Sequence, residues 1–336
     1  MREPAFWYRP PSWISHLLAP FGAVYGAVTA QRMMRDGASA GLPVLCIGNY
    51  HLGGAGKTPT TLALVKLLRE MGEQPFVVSR GYGGSLQGPV RVDPTAHAAA
   101  DAGDEPLMMA TSVPVVVSRD RVAGAALALA EGASVVLLDD GFQNPALVKD
   151  ASLIVIDAGR GVGNGFVFPA GPLRAPLKPQ IARTDALIVI GKGDAADDIA
   201  ARVTKHGAPL LRAHLVPDRA SVDQLHGQRV FAFAGIGDPA RFFATLRANS
   251  VDVVQEKAFA DHHPFTRDEI ERLVSDAAAK SVALVTTEKD MARIRSDARL
   301  KTYADRIVTF AVTLDFDDAA MLRNFVAARL AKARAG

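Results

Sequence analysis

A glycine-rich loop that ends in Gly-Lys-Thr, at residues 53–58, constrains this chain more than any other feature of its sequence. The loop follows an apolar run, Val44–Ile47, and precedes a stretch with helical periodicity, Pro59–Arg69. Glycines let the backbone wrap an anion, so that successive N–H groups and the positive end of the following helix face it. A strand, a glycine loop and a helix in this order are typical of a nucleoside triphosphate site. The alternative is a glycine-rich turn that binds nothing.

Two side chains of the loop suit a triphosphate and its metal. Lys57 supplies a mobile positive charge for the phosphates, and the Thr58 hydroxyl can hold Mg²⁺. His51 stands where the usual pattern has a glycine. The residues predicted to contact the nucleotide are His51, Leu52, Gly53, Gly54, Ala55, Gly56, Lys57 and Thr58.

Continuous apolar runs recur along the chain at spacings that leave room for helices. With 336 residues, two domains are expected rather than one. Continuous rather than alternating hydrophobicity predicts strands that are buried on both faces, and therefore a largely parallel sheet covered by helices. The first cycle comprises the runs Val44–Ile47, Phe76–Ser79, Val113–Val117, Val135–Leu138, Leu153–Ile156 and Ala186–Ile190.

A second cycle of strand and helix patterns begins near residue 210. It contains the strand candidates Val230–Ala234, Val251–Val254, Val282–Thr286 and Ile307–Val312. The sequence therefore predicts an N-terminal segment at 1–36, a P-loop core at 37–210 and a smaller α/β lobe at 211–336, with a cleft between the lobes.

Paired carboxylates follow one strand pattern directly. Asp139 and Asp140 come after Val135–Leu138, where a triphosphate-binding sheet holds its Mg²⁺-coordinating aspartate. Two turn aspartates ahead of a glycine are the alternative. Asp104 and Glu105, in Gly-Asp-Glu-Pro, have two interpretations. They either cap a helix start, or they place a carboxylate that accepts a proton from an attacking hydroxyl.

Three further loops carry polar groups that could act at the same site. Asp261-His262-His263 precedes a helix, so that a solvated turn and an acid–base pair are both possible there. Arg80 and Tyr82 lie in a glycine-rich loop, and Arg174 ends a rigid proline-rich one. Each of these two loops either approaches a ligand or forms a structural turn.

The N-terminus carries no charged side chain between residues 10 and 31. A signal peptide is disfavoured, because a triphosphate loop outside the cytoplasm would have no ATP. A spanning helix is weakened by internal glycines and polar residues, and an ordinary buried helix stays open. An interfacial segment fits better. Residues suited to the headgroup region and to anionic lipid are Trp7, Tyr8, Trp13, Tyr25, Arg32 and Arg35. The net charge of +3 gives no argument for nucleic acid, and no obligate protein partner is inferred.

Seven short motifs, in order along nearly the whole chain, resemble those of the tetraacyldisaccharide 4′-kinases of lipid A synthesis. They are GNYHLGGAGKTPT (48–60), SRGYGG (79–84), GDEP (103–106), DDGFQ (139–143), PAGPLR (169–174), DHHPF (261–265) and TTEKD (286–290). The resemblance implies transfer of the ATP γ-phosphate to the 4′-hydroxyl of a tetraacyldisaccharide 1-phosphate. It also implies a P-loop fold on the cytoplasmic face of the inner membrane, held peripherally or by one N-terminal anchor.

The resemblance also assigns roles to residues. Asp104 matches the family's catalytic aspartate, His262 its partner, and Asp139 and Asp140 the Mg²⁺-associated pair, while Lys57 and Thr58 match the phosphate and metal contacts. The residues proposed to contact substrate are Arg80, Tyr82, Glu105, Arg119, Arg121, Gln143 and Arg174. Two positions depart from the family pattern, since Asn144 replaces a histidine and Ala175 a glutamate.

A P-loop nucleotide switch or a metallochaperone-type NTPase, with no small-molecule acceptor, is the alternative function. Residues 191–194, Gly-Lys-Gly-Asp, resemble a guanine-reading loop, but a glycine replaces the asparagine that would contact the base.

Overall fold

The computed structural model describes residues 3–335. The first two residues of the predicted N-terminal segment 1–36 therefore lie outside the described part of the chain.

Strands and helices alternate through most of residues 3–335. The strands are β1 (Val44–Gly48), β2 (Pro75–Ser79), β3 (Val90–Arg91), β4 (Val115–Val117), β5 (Val135–Asp139), β6 (Ala151–Asp157), β7 (Ala186–Ile190), β8 (Leu210–Pro217), β9 (Arg229–Ala234), β10 (Asp252–Ala258), β11 (Ala283–Thr287), β12 (Val308–Phe310) and β13 (Val312–Phe316). The helices are α1 (Trp13–Met33), α2 (Lys57–Glu70), α3 (Ala99–Ala102), α4 (Asp104–Ala110), α5 (Arg121–Ala130), α6 (Leu177–Ile181), α7 (Asp197–Lys205), α8 (Arg219–Leu225), α9 (Pro239–Ala248), α10 (Arg267–Ala279), α11 (Glu288–Ser296) and α12 (Ala319–Ala335). Short 3-10 helices cover Ala5–Tyr8 and Lys301–Arg306.

The larger sheet has the strand order β13-β8-β7-β6-β1-β5-β2-β4-β3. All its inner strands pair in parallel, and only the edge strands β3 and β13 are antiparallel to their neighbours. Strands β1, β2, β5 and β7 are buried along their full length, which agrees with the continuous apolar runs of the sequence. The predicted α/β fold with a largely parallel sheet is confirmed.

The smaller sheet has the order β10-β9-β11-β12, and all its strands are parallel. Its two faces bury separate apolar clusters, one against α10 and α11 and the other against α9. The prediction of one strand at Ile307–Val312 is wrong. The chain leaves the smaller sheet after Phe310, whose side chain is buried in that lobe, and Val312 already pairs with Pro217 in the larger sheet.

The chain passes from the larger sheet to the smaller one later than residue 210. Strand β8 belongs to the larger sheet, and both β13 and α12 return to it. On α12, Leu322, Val326 and Leu330 are buried in the core of the larger sheet. The division into 37–210 and 211–336 stays a prediction about domains. In the sheets, the smaller unit extends from the end of β8 to the end of β12.

Helix α1 packs through its own glycines against the part of the chain that contains the larger sheet. A Cβ atom at Gly22 would lie 2.7 Å from the carbonyl oxygen of Val167, so that only glycine allows this approach. Ahead of the helix, Trp7 is buried and donates its indole N–H to the Pro169 carbonyl at 3.1 Å. The expectation that Trp7 faces the headgroup region is therefore wrong. Between residues 3 and 335, no helix combines the length and the apolar character needed to cross a membrane.

Candidate active site

The glycine loop lies at the centre of the larger sheet, between β1 and α2. Gly56 is the N-cap of α2 and has φ +89°, a left-handed conformation that favours glycine. A Cβ atom at Gly56 would also approach Ile190 to 2.7 Å. Inside the loop, the Asn49 amide donates to the Gly53 carbonyl at 3.1 Å, and Gln143 donates to the Asn49 carbonyl at 2.8 Å. Gln143, predicted to contact substrate, thus supports the loop.

Two cations of the site share one carboxylate. Nζ of Lys57 lies 3.6 Å from Oδ1 of Asp140, and Nη1 of Arg174 lies 3.0 Å from the same oxygen. The Arg174 Nε donates to the His51 carbonyl at 3.0 Å, which ties this guanidinium to the loop. Burial raises the pKa of Asp140, but the charges of Lys57 and Arg174 outweigh burial and lower the pKa below its ordinary value. The carboxylate therefore stays ionised and holds both cations beside the loop.

Asp139 ends β5, the strand next to β1, and its side chain is buried. Ser79, at the end of β2, donates to Oδ2 of Asp139 at 3.1 Å, while Oδ1 is buried without a hydrogen-bond partner. Burial and the nearby charges of Glu105 and Asp140 raise the pKa of Asp139. An orphaned carboxylate oxygen in such a place is suited to a cation.

This donor set fits Mg²⁺. Proteins commonly bind Mg²⁺ through one or two carboxylates together with waters and substrate phosphates, rather than through a complete protein cage. The described residues contain no group of three or more His, Cys, Asp or Glu that could hold a metal alone. Asp139, Asp140 and the Thr58 hydroxyl, completed by phosphate oxygens, are the residues that could hold the ion.

His51 is fully buried in the loop and donates from Nδ1 to the Leu52 carbonyl at 2.7 Å. Burial lowers the pKa of His51 to about 4, so that its ring is neutral near pH 7. It adds no charge for the phosphates, and its buried Nε2 has no partner among the described residues.

The N-terminal segment of the chain reaches the glycine loop through Glu3. A Cβ atom at Gly53 would lie 1.7 Å from the Glu3 Oε1, so the carboxylate rests against this glycine. Arg160 donates to Glu3 at 3.4 Å, and its guanidinium carbon lies 5.4 Å from the centre of the Tyr8 ring. An anion therefore already lies against part of the loop where phosphates are expected.

We expect the substitution Glu3→Gln to lower KM for ATP by about 3-fold and to leave kcat within 2-fold, because like charges in one site repel. KM is measured from initial rates over a range of ATP concentrations. Glu271→Gln, at an exposed position of α10, is the matched control. A KM for ATP that does not fall in Glu3→Gln would show that the carboxylate does not compete with phosphate.

A second group of charged side chains joins the two lobes around Asp104. Oδ2 of Asp104 accepts hydrogen bonds from Nδ1 of His262 and from Nε of Arg293, both at 2.7 Å, and Nη2 of Arg293 lies 2.6 Å from the same oxygen in an ion pair. Burial would raise the pKa of Asp104, but the hydrogen bonds from His262 and Arg293 and the Arg293 charge outweigh it and hold the pKa at about 2. Asp104 and His262, 158 positions apart, thus meet in the structure, as the family resemblance implies.

The other predicted substrate contacts differ in their surroundings. Glu105 pairs with Lys289 at 3.3 Å across the same lobe contact. Arg121 is buried and donates to the Ser118 carbonyl at 2.6 Å. Arg80, Tyr82 and Arg119 are exposed, Tyr82 to 80 %.

Comparison with known proteins identifies the family of this chain. The model of the family described as "Tetraacyldisaccharide-1-P 4'-kinase" matches residues 14–331. The chain belongs to the tetraacyldisaccharide-1-P 4′-kinase family. A protein named tetraacyldisaccharide 4′-kinase from Rhodopseudomonas palustris (strain HaA2) is 65 % identical over 99 % of this chain and 98 % of its own length. One of the same name from Nitrobacter winogradskyi is 62 % identical over 99 % of each chain.

A solved structure of the same kinase type shares the fold. The crystal structure of the "apo" form of LpxK from Aquifex aeolicus, in complex with ATP, has a TM-score of 0.70 and 25 % identity, over 94 % of this chain and 99 % of that one. The resemblance predicted from the seven motifs is confirmed by these matches. They support the kinase prediction rather than a nucleotide switch.

Two positions differ from the pattern expected for a tetraacyldisaccharide-1-P 4′-kinase. Asn144 accepts a hydrogen bond from the Ala146 N–H at 2.9 Å and shapes the turn after β5. Ala175 is fully buried, and its carbonyl accepts from Gln180 at 2.7 Å. Both residues therefore have structural contacts in this member of the family.

Three residues that contact the predicted site residues were assigned no role from the sequence: Ser79, Lys289 and Arg293. Ser79 and Lys289 lie inside quoted motifs, so their positions carried a signal although no role was assigned to them. Arg293 lies three residues beyond the last motif, and only its spacing of three from Asp290 on a helical stretch could have indicated the contact.

Proposed function

We propose that this chain transfers the γ-phosphate of ATP to the 4′-hydroxyl of a tetraacyldisaccharide 1-phosphate and yields the 1,4′-bisphosphate, lipid IVA, and ADP. One observation carries the proposal. In one lobe, a Gly-Lys-Thr loop has Asp140 3.6 Å from its lysine, and a carboxylate of the same lobe, Asp104, accepts a hydrogen bond from His262 of the second lobe. Membership of the family supplies the acceptor class.

Lys57 and the loop N–H groups would hold the β- and γ-phosphates. The guanidinium of Arg174, already anchored to the His51 carbonyl, would remain beside them. When bound by Asp139, Asp140 and Thr58, Mg²⁺ would supply charge neutralisation at the phosphate oxygens. Transfer of phosphate needs little covalent help, so positioning and charge stabilisation are expected to supply most of the acceleration.

Asp104 would act as the base for the acceptor alcohol. Its Oδ2 accepts hydrogen bonds from His262 and Arg293, so the other oxygen, Oδ1, would take the proton of the 4′-hydroxyl. The alcohol oxygen forms a bond to the γ-phosphorus as the bond from that phosphorus to the bridging oxygen breaks, and ADP carries away the electron pair. His262 would orient Asp104 through its 2.7 Å hydrogen bond.

The proposal is tested by incubating the full chain with γ-³²P-labelled ATP, MgCl₂ and purified tetraacyldisaccharide 1-phosphate. We expect label in a lipid product whose mass rises by one phosphate group, with the phosphate at the 4′ position. Label that appears only as inorganic phosphate, at a rate independent of the lipid, would instead indicate a nucleotide hydrolase or switch.

The outward side of α1 forms a continuous apolar surface, and we propose that it lies on the cytoplasmic face of the inner membrane. Its side chains recur at helical spacing and are each 62–74 % exposed; this outer stripe consists of Trp13, Leu17, Phe21, Val24 and Val28. Exposed Arg9, Arg32 and Arg35 flank it and suit anionic headgroups. The glycines of the opposite side fix α1 to the core, so the stripe keeps its outward orientation.

We expect the triple substitution Leu17→Ser, Phe21→Ser and Val24→Ser to lower binding to anionic phospholipid vesicles by about 30-fold or more, because each buried apolar side chain contributes roughly 1–2 kcal/mol. Binding is measured by co-sedimentation of the full chain. Leu129→Ser, on exposed α5 surface away from the stripe, is the control. Unchanged sedimentation of the triple variant would place the membrane contact elsewhere.

A further inference from the structure

Arg293 is the buried cation that connects the two lobes at Asp104. It lies on α11 of the smaller lobe, and its side chain is 8 % exposed. On one side, Nε donates to Oδ2 of Asp104 at 2.7 Å, and Nη2 lies 2.6 Å from the same oxygen in an ion pair. On the other side, Nη1 donates to Oδ1 of Asp290 at 2.6 Å and to the Gly235 carbonyl at 2.9 Å. One guanidinium thus has its three nitrogens engaged and fixed from both directions.

Asp290, the carboxylate that pairs with Arg293, is itself held by hydrogen bonds. Asp290 is fully buried and accepts from the Gly235 N–H at 2.9 Å and from the Thr287 hydroxyl at 2.8 Å. Since one oxygen of Asp290 takes these two bonds, the other is left for Arg293. A planar guanidinium with donors fixed on two edges has little freedom to rotate.

Gly235 also connects the arginine to the histidine of the site. Its carbonyl accepts both Arg293 Nη1 and the backbone N–H of His262, the latter at 3.1 Å. His262 has φ +57°, an uncommon conformation for a residue other than glycine. The same short segment after β9 therefore places both donors that reach Oδ2 of Asp104.

We propose that Arg293 is a positioning residue for phosphoryl transfer, which acts by holding Oδ2 of Asp104 so that Oδ1 is the oxygen presented to the acceptor hydroxyl. The inference rests on the proposed function, because it assigns Asp104 as the base. Carboxylate oxygens each offer about two lone-pair sites, so Oδ2, which accepts hydrogen bonds from His262 and Arg293, has no capacity for a further proton. The smaller lobe, through Arg293 together with His262, thereby orients the base, although Asp104 itself lies on α4 of the larger lobe. Asp290 serves as the counterion that keeps Arg293 in place.

A simpler role for Arg293 is an ion pair that only stabilises the lobe contact. The two roles predict different effects of replacing Arg293 on the rate when Asp104 has already been replaced. A positioning residue that acts through Asp104 has nothing left to position in Asp104→Asn, whereas a residue that supports the fold lowers the rate of either background by the same factor.

The experiment is a double-mutant cycle on the full chain with Arg293→Met and Asp104→Asn, assayed by ³²P transfer to the purified lipid acceptor. We expect Arg293→Met to lower kcat by about 50-fold with KM for ATP and acceptor changed less than about 3-fold. In the Asp104→Asn background the same substitution should change the residual kcat by less than about 3-fold. Arg293→Lys, which keeps the charge but places its donors on a single nitrogen, should recover about a fifth or more of the lost rate.

Arg295→Met is the matched control, since Arg295 is exposed on the same helix; it should leave kcat within 2-fold. The proposal is overturned if Arg293→Met leaves kcat within 3-fold, or if it lowers kcat by the same factor in both backgrounds. Should Arg293→Met fail to fold, as judged by thermal unfolding, Arg293→Gln, which likewise removes the charge, enters the same cycle with the same two criteria. A wild-type chain that labels no lipid, or a fully active Asp104→Asn, would refute the proposed function instead, so the two failures are distinguishable.

Discussion

Replacing Lys57 by methionine is expected to lower kcat/KM for ATP by about 10³-fold, because a cation aimed at the transferring phosphates stabilises charge in a site shielded from water. Only 11 % of the Lys57 side chain is exposed, and its Nζ lies 3.6 Å from Asp140. The substitution keeps the length of the side chain and the helical position while it removes the charge. Rates are measured at several ATP concentrations with saturating lipid acceptor.

Lys66→Met is the matched control for Lys57→Met. Lys66 lies on the same helix, α2, and is exposed. We expect its replacement to leave kcat/KM within 2-fold. If Lys57→Met retained more than about a tenth of the wild-type kcat/KM, the loop would not be the phosphate site.

Replacing Asp104 by asparagine is expected to lower kcat by about 10²-fold or more with saturating acceptor, because the alcohol then lacks its proton acceptor. Asparagine keeps the shape of the side chain and one carbonyl oxygen for the Arg293 and His262 donors. ATP binding, measured with a fluorescent analogue, should be unchanged within about 3-fold, since the phosphate contacts lie on other residues.

Asp101→Asn is the control for this substitution. Asp101 lies three residues before Asp104 and accepts from the Ala98 N–H at 2.9 Å, a bond that asparagine can keep. Its kcat should stay within 2-fold of wild type. Near-normal kcat in Asp104→Asn would remove Asp104 from the role of base.

The pKa of Asp104 also predicts a dependence of stability on pH. The pKa is held at about 2 in the folded chain, below the value of about 3.9 for an unfolded aspartate. A lowered folded pKa stabilises the fold above the unfolded pKa, and this stabilisation is lost as pH falls towards the folded pKa. The wild-type Tm should therefore exceed that of Asp104→Asn at pH 7, and the difference should shrink as pH is lowered from about 5 to 3.

The P-loop and its strand could be predicted from sequence because their signals are local. The order of apolar run, glycines, Gly-Lys-Thr and helix depends on neighbouring residues, and the structure has β1 at Val44–Gly48 and α2 from Lys57. Continuous apolar runs likewise predicted the parallel sheet, since a strand that is buried on both faces needs apolar residues at successive positions. Asp139 and Asp140 followed from the end of one such run.

Contacts between distant parts of the chain gave weaker signals. The return of the chain to the larger sheet at Val312 depends on which sheet edge is free, which no local pattern records. Trp7 is a residue type that is common in membrane anchors, but its side chain packs against Phe168 and Pro169, which are distant in the sequence. Arg293 resembles any arginine of a charged helix until folding brings α11 to Asp104.

The contact between Asp104 and His262 is intermediate between a locally signalled feature and an unsignalled long-range contact. From spacing alone, each residue had an ordinary interpretation as a helix cap or a solvated turn, and only the family resemblance joined them. In the structure their side chains meet at 2.7 Å across the two lobes. The base therefore belongs to one lobe, and the groups that orient it belong to the other.

The central claim is that a triphosphate on the loop at residues 53–58 faces Asp104. It is tested most directly by a crystal structure of the chain with a non-hydrolysable ATP analogue, Mg²⁺ and the tetraacyldisaccharide 1-phosphate. We expect the γ-phosphate beside Lys57 and the 4′-hydroxyl within about 3.2 Å of Oδ1 of Asp104. A ternary complex with the lobes closed and the acceptor hydroxyl remote from Asp104, or with the nucleotide bound away from the loop, would contradict it.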